Sequence, residues 1–105
     1  MARGAELTDT VRWLAAHSAA APPALRERIQ AYARLGRGEL PAALADAGQQ
    51  ALAHVVHHPG DRSVALDLLA ADGLITLALL AQAESAPGAL RHFAASLLDG
   101  SVVAR

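Results

Sequence analysis

The sequence predicts an all-α fold, a compact antiparallel bundle of four to five helices, and three observations carry that prediction. Apolar residues recur every three to four positions along most of the chain, the period of one helix face. Pro, Gly and Asp punctuate this pattern into helix-length segments. No stretch alternates apolar and polar residues as a half-buried strand would.

The first predicted helix runs from about Leu7 to Ala20, with Thr8 or Asp9 as cap and Leu7, Val11, Leu14, Ala15 and Ser18 as its inward stripe. Pro22 and Pro23 end it, because a residue before Pro is pushed away from helical geometry. The second runs from about Pro23 to Leu35 and places Leu25, Ile29, Tyr32 and Ala33 on one face. Its opening Pro costs nothing where no N–H is needed, and Gly36 and Gly38 supply its stop. The third spans about Pro41 to His57. Leu40, Leu44, Ala47 or Gly48, Ala51 or Leu52, and Val55 repeat along it, and His57 and His58 suit the negative end of its dipole.

The fourth, Arg62 to Ser85 with Asp61 or Ser63 as cap, is the longest. Its apolar residues nearly encircle the axis, the mark of a central or interfacial helix. The fifth, about Pro87 to Leu98, is expected to bury Leu90, Phe93, Ala94, Leu97 and Leu98. Short connections between amphipathic helices imply antiparallel neighbours. Residues 1–105 read as one helical domain, with 1–6 and 101–105 frayed.

Composition narrows the function. The 105 residues contain no Cys, so disulfide and thiol chemistry are excluded. Lys is also absent, every basic side chain is Arg, and Ala and Leu dominate. A GC-rich bacterial genome accounts for that alphabet without selection for phosphate binding. The net charge is −1 and the acids and Arg are interspersed, so no basic face for nucleic acid is expected. No leader pattern is visible, since Glu6, Asp9 and Arg12 interrupt any apolar run after Met1. The most apolar window, Val64 to Ala83, carries Asp67 and Asp72. Each costs about 2.5–3.5 kcal/mol at mid-bilayer, so the window reads as a buried helix of a cytoplasmic protein.

A helical wheel at about 100° per residue isolates one acid. Asp72 falls at the centre of the most apolar arc of the fourth helix, with Val64, Leu68, Ile75 and Leu79 on one side and Leu69, Thr76 and Leu80 on the other. Asp72 is therefore expected to be buried and to need a partner: Trp13, Tyr32, an Arg or a His. It is the candidate catalytic carboxylate. Asp67, among Ser63 and several Ala, is expected to be more exposed. An alternative breaks the helix at Asp72-Gly73.

His54 and His58 stand four apart and are the candidate metal ligands. The glutamate that zinc enzymes place between such a pair is missing from the run His54-Val55-Val56-His57-His58. A solvated helix end is the plainer reading. His17 and His92 stand alone. Trp13 reads as a core or interface anchor, and no nucleophile elbow or phosphate-cradling loop occurs.

No cofactor is called for. Hydrophobic residues make up 53% of the chain and charged ones 18%, against about a quarter charged in ordinary soluble domains. Self-association would relieve that shortage of polar cover. The expected role is therefore an association module, a homodimer or a partner of another helical protein. The small residues Ala70, Ala71, Gly73, Ala78 and Ala81 would let subunits approach closely. A bundle binding a small ligand or metal is the alternative, and an enzyme has the least support.

Overall fold

The computed structural model describes residues 2–58, 60 and 62–99, with side chains from Thr8 onward. Helix α1 covers Ala2–His17, α2 Pro23–Ala33, α3 Leu40–His57, α4 Arg62–Ser85 and α5 Leu90–Leu98, and a single 3-10 turn, Pro87–Ala89, leads into α5. No strand occurs among the described residues.

Pro occupies the first turn of both α2 and α3, where its fixed φ suits the helix and its missing N–H is no loss. The α2–α3 loop lies flat on the next helix: a Cβ on Gly36 would sit 2.0 Å from the Ala43 carbonyl oxygen. At the end of α3, the His57 ring Nδ1 lies 2.7 Å from the Ala53 carbonyl and the His58 ring Nδ1 3.0 Å from that of His54. Both rings thus hydrogen-bond to carbonyls of the last turns, as their position at the negative end of the dipole predicts.

Helix α1 differs from expectation at both ends, stopping at His17 and not at Ala20, whereas α4 keeps its expected span and the alternative break at Asp72-Gly73 does not occur. Helix α1 starts at Ala2, so Thr8 and Asp9 lie inside it and residues 2–6 are helical; Ala2, Arg3, Ala5 and Glu6 are good helix formers. Helix α4 runs through Gly73 without a break. A Cβ on Gly73 would lie 3.3 Å from Ile29 Cδ1, so α2 seats Ile29 against the bare backbone there. The expected cap Asp61 and the tail 101–105 lie outside the described residues.

Helices α3 and α4 form an antiparallel hairpin with the most extensive contact in the molecule; α2 packs on both, α1 on α2 and α3, and α5 on α4. The radius of gyration is 13.1 Å, close to the about 13 Å of a compact chain this long. The core is built from small side chains. Among the described residues Leu14, Leu44 and Leu74 are its only large apolar side chains without exposure, and Ala33, Ala45, Ala47, Ala51, Ala70 and Ala78 fill most of the rest. Small residues let the axes approach, and Gly48 marks the tightest point: a Cβ there would lie 2.8 Å from Ile75 Cδ1 and 3.2 Å from Leu74 Cβ.

This packing rotates α4 the opposite way from the expected one. Its buried face is Asp67, Ala70, Ala71, Leu74, Ala78 and Ala81, on the far side of the wheel from Asp72. The arc of Leu68, Leu69, Asp72, Thr76 and Leu80 faces outward. Helix α5 is likewise shallower than expected. None of its residues is fully buried, and Leu98 is 92% exposed.

Candidate functional site

Among the described residues Asp67 is the buried acid, and Asp72 is exposed. Asp67 is 2% exposed, and the α2 residues Arg28 and Tyr32 reach it from one helix turn of spacing. The Arg28 guanidinium donates to Asp67 Oδ1, and the Tyr32 hydroxyl donates to the same oxygen at 3.2 Å. Across the cluster, His54 Nε2 on α3 stands 3.5 Å from Oδ2. A carboxylate in this surrounding needs such partners, because an unpaired buried charge is expensive. The phenol of Tyr32 is held above its ordinary titration range, first by burial and then by the neighbouring Asp67 charge and hydrogen bond; Arg28 acts in the opposite sense.

A shallow, open cleft of about 240 Å³ adjoins the cluster, lined by Arg28, Ala31, Tyr32, Leu35, His54, Ser63 and Asp67. Its chemistry is largely consumed internally, since one carboxylate oxygen already takes two donors and the other faces a ring nitrogen. The arrangement ties α2, α3 and α4 together at one end of the bundle.

The candidate catalytic residue Asp72 lies on the outer side of α4. It lines a shallow apolar groove of about 260 Å³ between α3 and α4, with Gly48, Leu52, Leu68, Ala71 and Ile75. The wheel geometry drawn around Asp72 is correct, but that arc points away from the core. The reason is size: α2 and α3 approach α4 more closely over Ala than over Leu, so the small-residue arc is the one covered. The residues Ala70, Ala71, Ala78 and Ala81, expected between subunits, are used inside the chain instead.

His54 and His58 do come together, as stacked rings with centroids 4.2 Å apart and planes 19° from parallel. His54 Nε2 faces Asp67 and His58 Nδ1 faces the carbonyl of His54, so the stack does not converge its nitrogens on one point. Among the described residues no three His, Asp or Glu side chains gather as a metal site would require. His17 stacks on Trp13 with centroids 3.8 Å apart, and His92 is exposed. Trp13 is half-buried, and its indole N–H donates to Glu84 Oε1 at 3.2 Å, fastening α1 to the end of α4. An open depression of about 600 Å³ is lined by Asp9, Thr10, Glu39, Gln82, Ser85 and Phe93 among others, and brings none of the sequence candidates together.

Asp67 is buried where its place on the wheel predicted exposure, and Arg28 was not singled out by its sequence. The available signal was the pairing of Arg28 with Tyr32, four apart on one helix face: two donors on a partly buried face require an acceptor. The partner chemistry expected of a buried acid, a Tyr, an Arg and a His, is what the structure contains, attached to the other Asp.

Compared with known proteins, the chain matches no family model, no curated sequence and no solved structure.

Proposed function

We propose that this protein is an association module, and that the outer face of the α3–α4 hairpin is covered by a second copy of the same chain. One observation carries the reading: the most apolar helix is the least covered where its side chains are largest. Only 39% of the most apolar 18-residue stretch of α4 is buried, while Leu68, Leu69 and Leu80 stay 49%, 54% and 40% exposed. Leu52 and Val56 of α3 add to the same face at 46% and 67%. Isolated exposed Leu residues need no explanation, but a stripe along two packed helices does.

The dimensions support a protein partner over a small ligand. Helix α4 has 24 residues and is about 36 Å long at 1.5 Å per residue. Two adjacent helices about 10 Å wide present roughly 700 Å² in projection, near the ~800 Å² per partner of specific interfaces. Burying it returns about 25 cal/mol per Å² of apolar surface. By length and composition α4 also qualifies to cross a membrane. Its Asp67 is fixed in an ion pair inside the bundle, which favours a helix that stays packed in a cytoplasmic protein.

Sedimentation equilibrium over a broad concentration series tests the reading. The wild-type chain is expected to associate, and Leu69→Glu with Leu80→Glu to leave a folded monomer. A wild-type chain that stays monomeric throughout, or one that partitions onto phosphatidylcholine vesicles instead of pairing, overturns it.

A further inference from the structure

Helix α4 carries a self-complementary pattern on its outer arc. The midpoint of Arg62–Ser85 falls between Gly73 and Leu74. A two-fold axis level with Leu74, crossing between two antiparallel copies, brings Leu68 within one residue of level with Leu79 of the other copy on one flank of the arc, and Leu69 likewise with Leu80 on the other. The same operation brings Ala65 level with Ala83, and Asp72 with Thr76. Every residue in these pairs is exposed or half-exposed. A two-fold interface demands this reciprocity, with each residue meeting the one that meets it in return. Here the operation sets leucine against leucine and alanine against alanine, and offers the one carboxylate of the arc a hydroxyl donor.

Orientation follows from the same carboxylate. In parallel, in-register pairing, Asp72 of one copy lies beside Asp72 of the other, two like charges within an apolar stripe. In the antiparallel arrangement the two are offset along the axis by about 6 Å at 1.5 Å per residue, and each faces Thr76. Like-charge contact at a helix seam selects against the wrong pairing, as polar seam residues do in coiled coils. We infer that two copies pair through α4, antiparallel, about a two-fold axis level with Leu74, and that Asp72 excludes the parallel alternative. This inference rests on the self-association reading above.

The chain has no Cys, so introduced thiols are unique reporters. Leu69→Cys and Leu80→Cys are prepared singly in the full chain and treated, alone and mixed, with a short thiol-to-thiol crosslinker. The mixture is expected to yield covalent dimer several-fold above either variant alone, because these two positions lie within one residue of level on the same flank. Leu69→Cys alone crosslinking as well as the mixture signals parallel pairing and overturns the register. Association by sedimentation without any crosslink also overturns it while leaving self-association standing; a monomer removes both. Adding Asp72→Leu to Leu69→Cys is expected to raise its self-crosslinking, and an unchanged yield overturns the orienting role of Asp72.

Discussion

Asp67 concentrates the polar energetics of the interior on one side chain. Its removal leaves the Arg28 guanidinium facing a low-dielectric wall, but that side chain is 31% exposed and can turn to water. The cost of breaking a buried ion pair, about 3–5 kcal/mol, is reduced accordingly. Asp67→Ala is expected to lower stability by about 2–3 kcal/mol, while Asp72→Ala in the monomer changes it by less than about 0.5 kcal/mol. Paired urea melts of the two variants check the contrast, and equal effects would contradict the assignment of the buried acid. Tyr32 adds a pH signature. Its folded-state pKa lies above the ordinary 10.0, so the native state holds the phenolic proton more tightly than the unfolded chain does. The stability tied to this site is therefore complete below pH 10 and is lost as pH rises through the folded value. Tyr32→Phe is expected to flatten the fall in urea midpoint as pH rises above 10.0.

At the scale of elements, close approach governs the hairpin. Gly48 faces Ile75 and Leu74 at distances below ordinary contact for an added carbon. A β-branched side chain there must push α3 off α4, and overpacking of this kind costs typically 1–3 kcal/mol. Gly48→Val is expected to lower the melting temperature by roughly 5–15 °C at about 4–8 °C per kcal/mol for a domain this size. Gly36→Ala should be destabilising too, since its Cβ would meet a backbone carbonyl that has no rotamer with which to yield. Differential scanning calorimetry reads both changes. Unaltered melting in either variant would mean that the helices do not approach as described. The spans of α2 to α5 were legible in the sequence to within a few residues because Pro22-Pro23, Gly36, Pro41 and Pro87 punctuate the chain chemically. The rotation of α4 about its axis was not. A wheel ranks arcs by apolarity and favours Leu, whereas three helices meeting at one line favour Ala, and the second effect prevailed.

For the whole molecule, the proposed association rests on the outward leucines of α4. A charge placed on the outer arc leaves the Ala-rich core untouched. Leu69→Glu with Leu80→Glu is therefore expected to keep the helical circular dichroism spectrum and the melting temperature of the monomer while removing concentration-dependent association. Loss of helicity in that variant would show that these leucines are needed for the internal packing instead. The low charged fraction, 18%, pointed to association from composition alone. Composition did not say which surface, because that depends on which side of α4 the other helices cover.

By itself the sequence determined the helical class, the order of the five helices, the spans of α2 to α5 to within a few residues, and the kinds of group a buried acid would need. These follow from local periodicity, from Pro and Gly geometry, and from the cost of burying charge, none of which requires knowing the neighbours. Only the tertiary structure decided that Asp67 and not Asp72 is enclosed, and that the leucine arc of α4 is left to water. Those outcomes depend on how closely α2 and α3 approach the helix, which is a property of facing surfaces and not of any one segment.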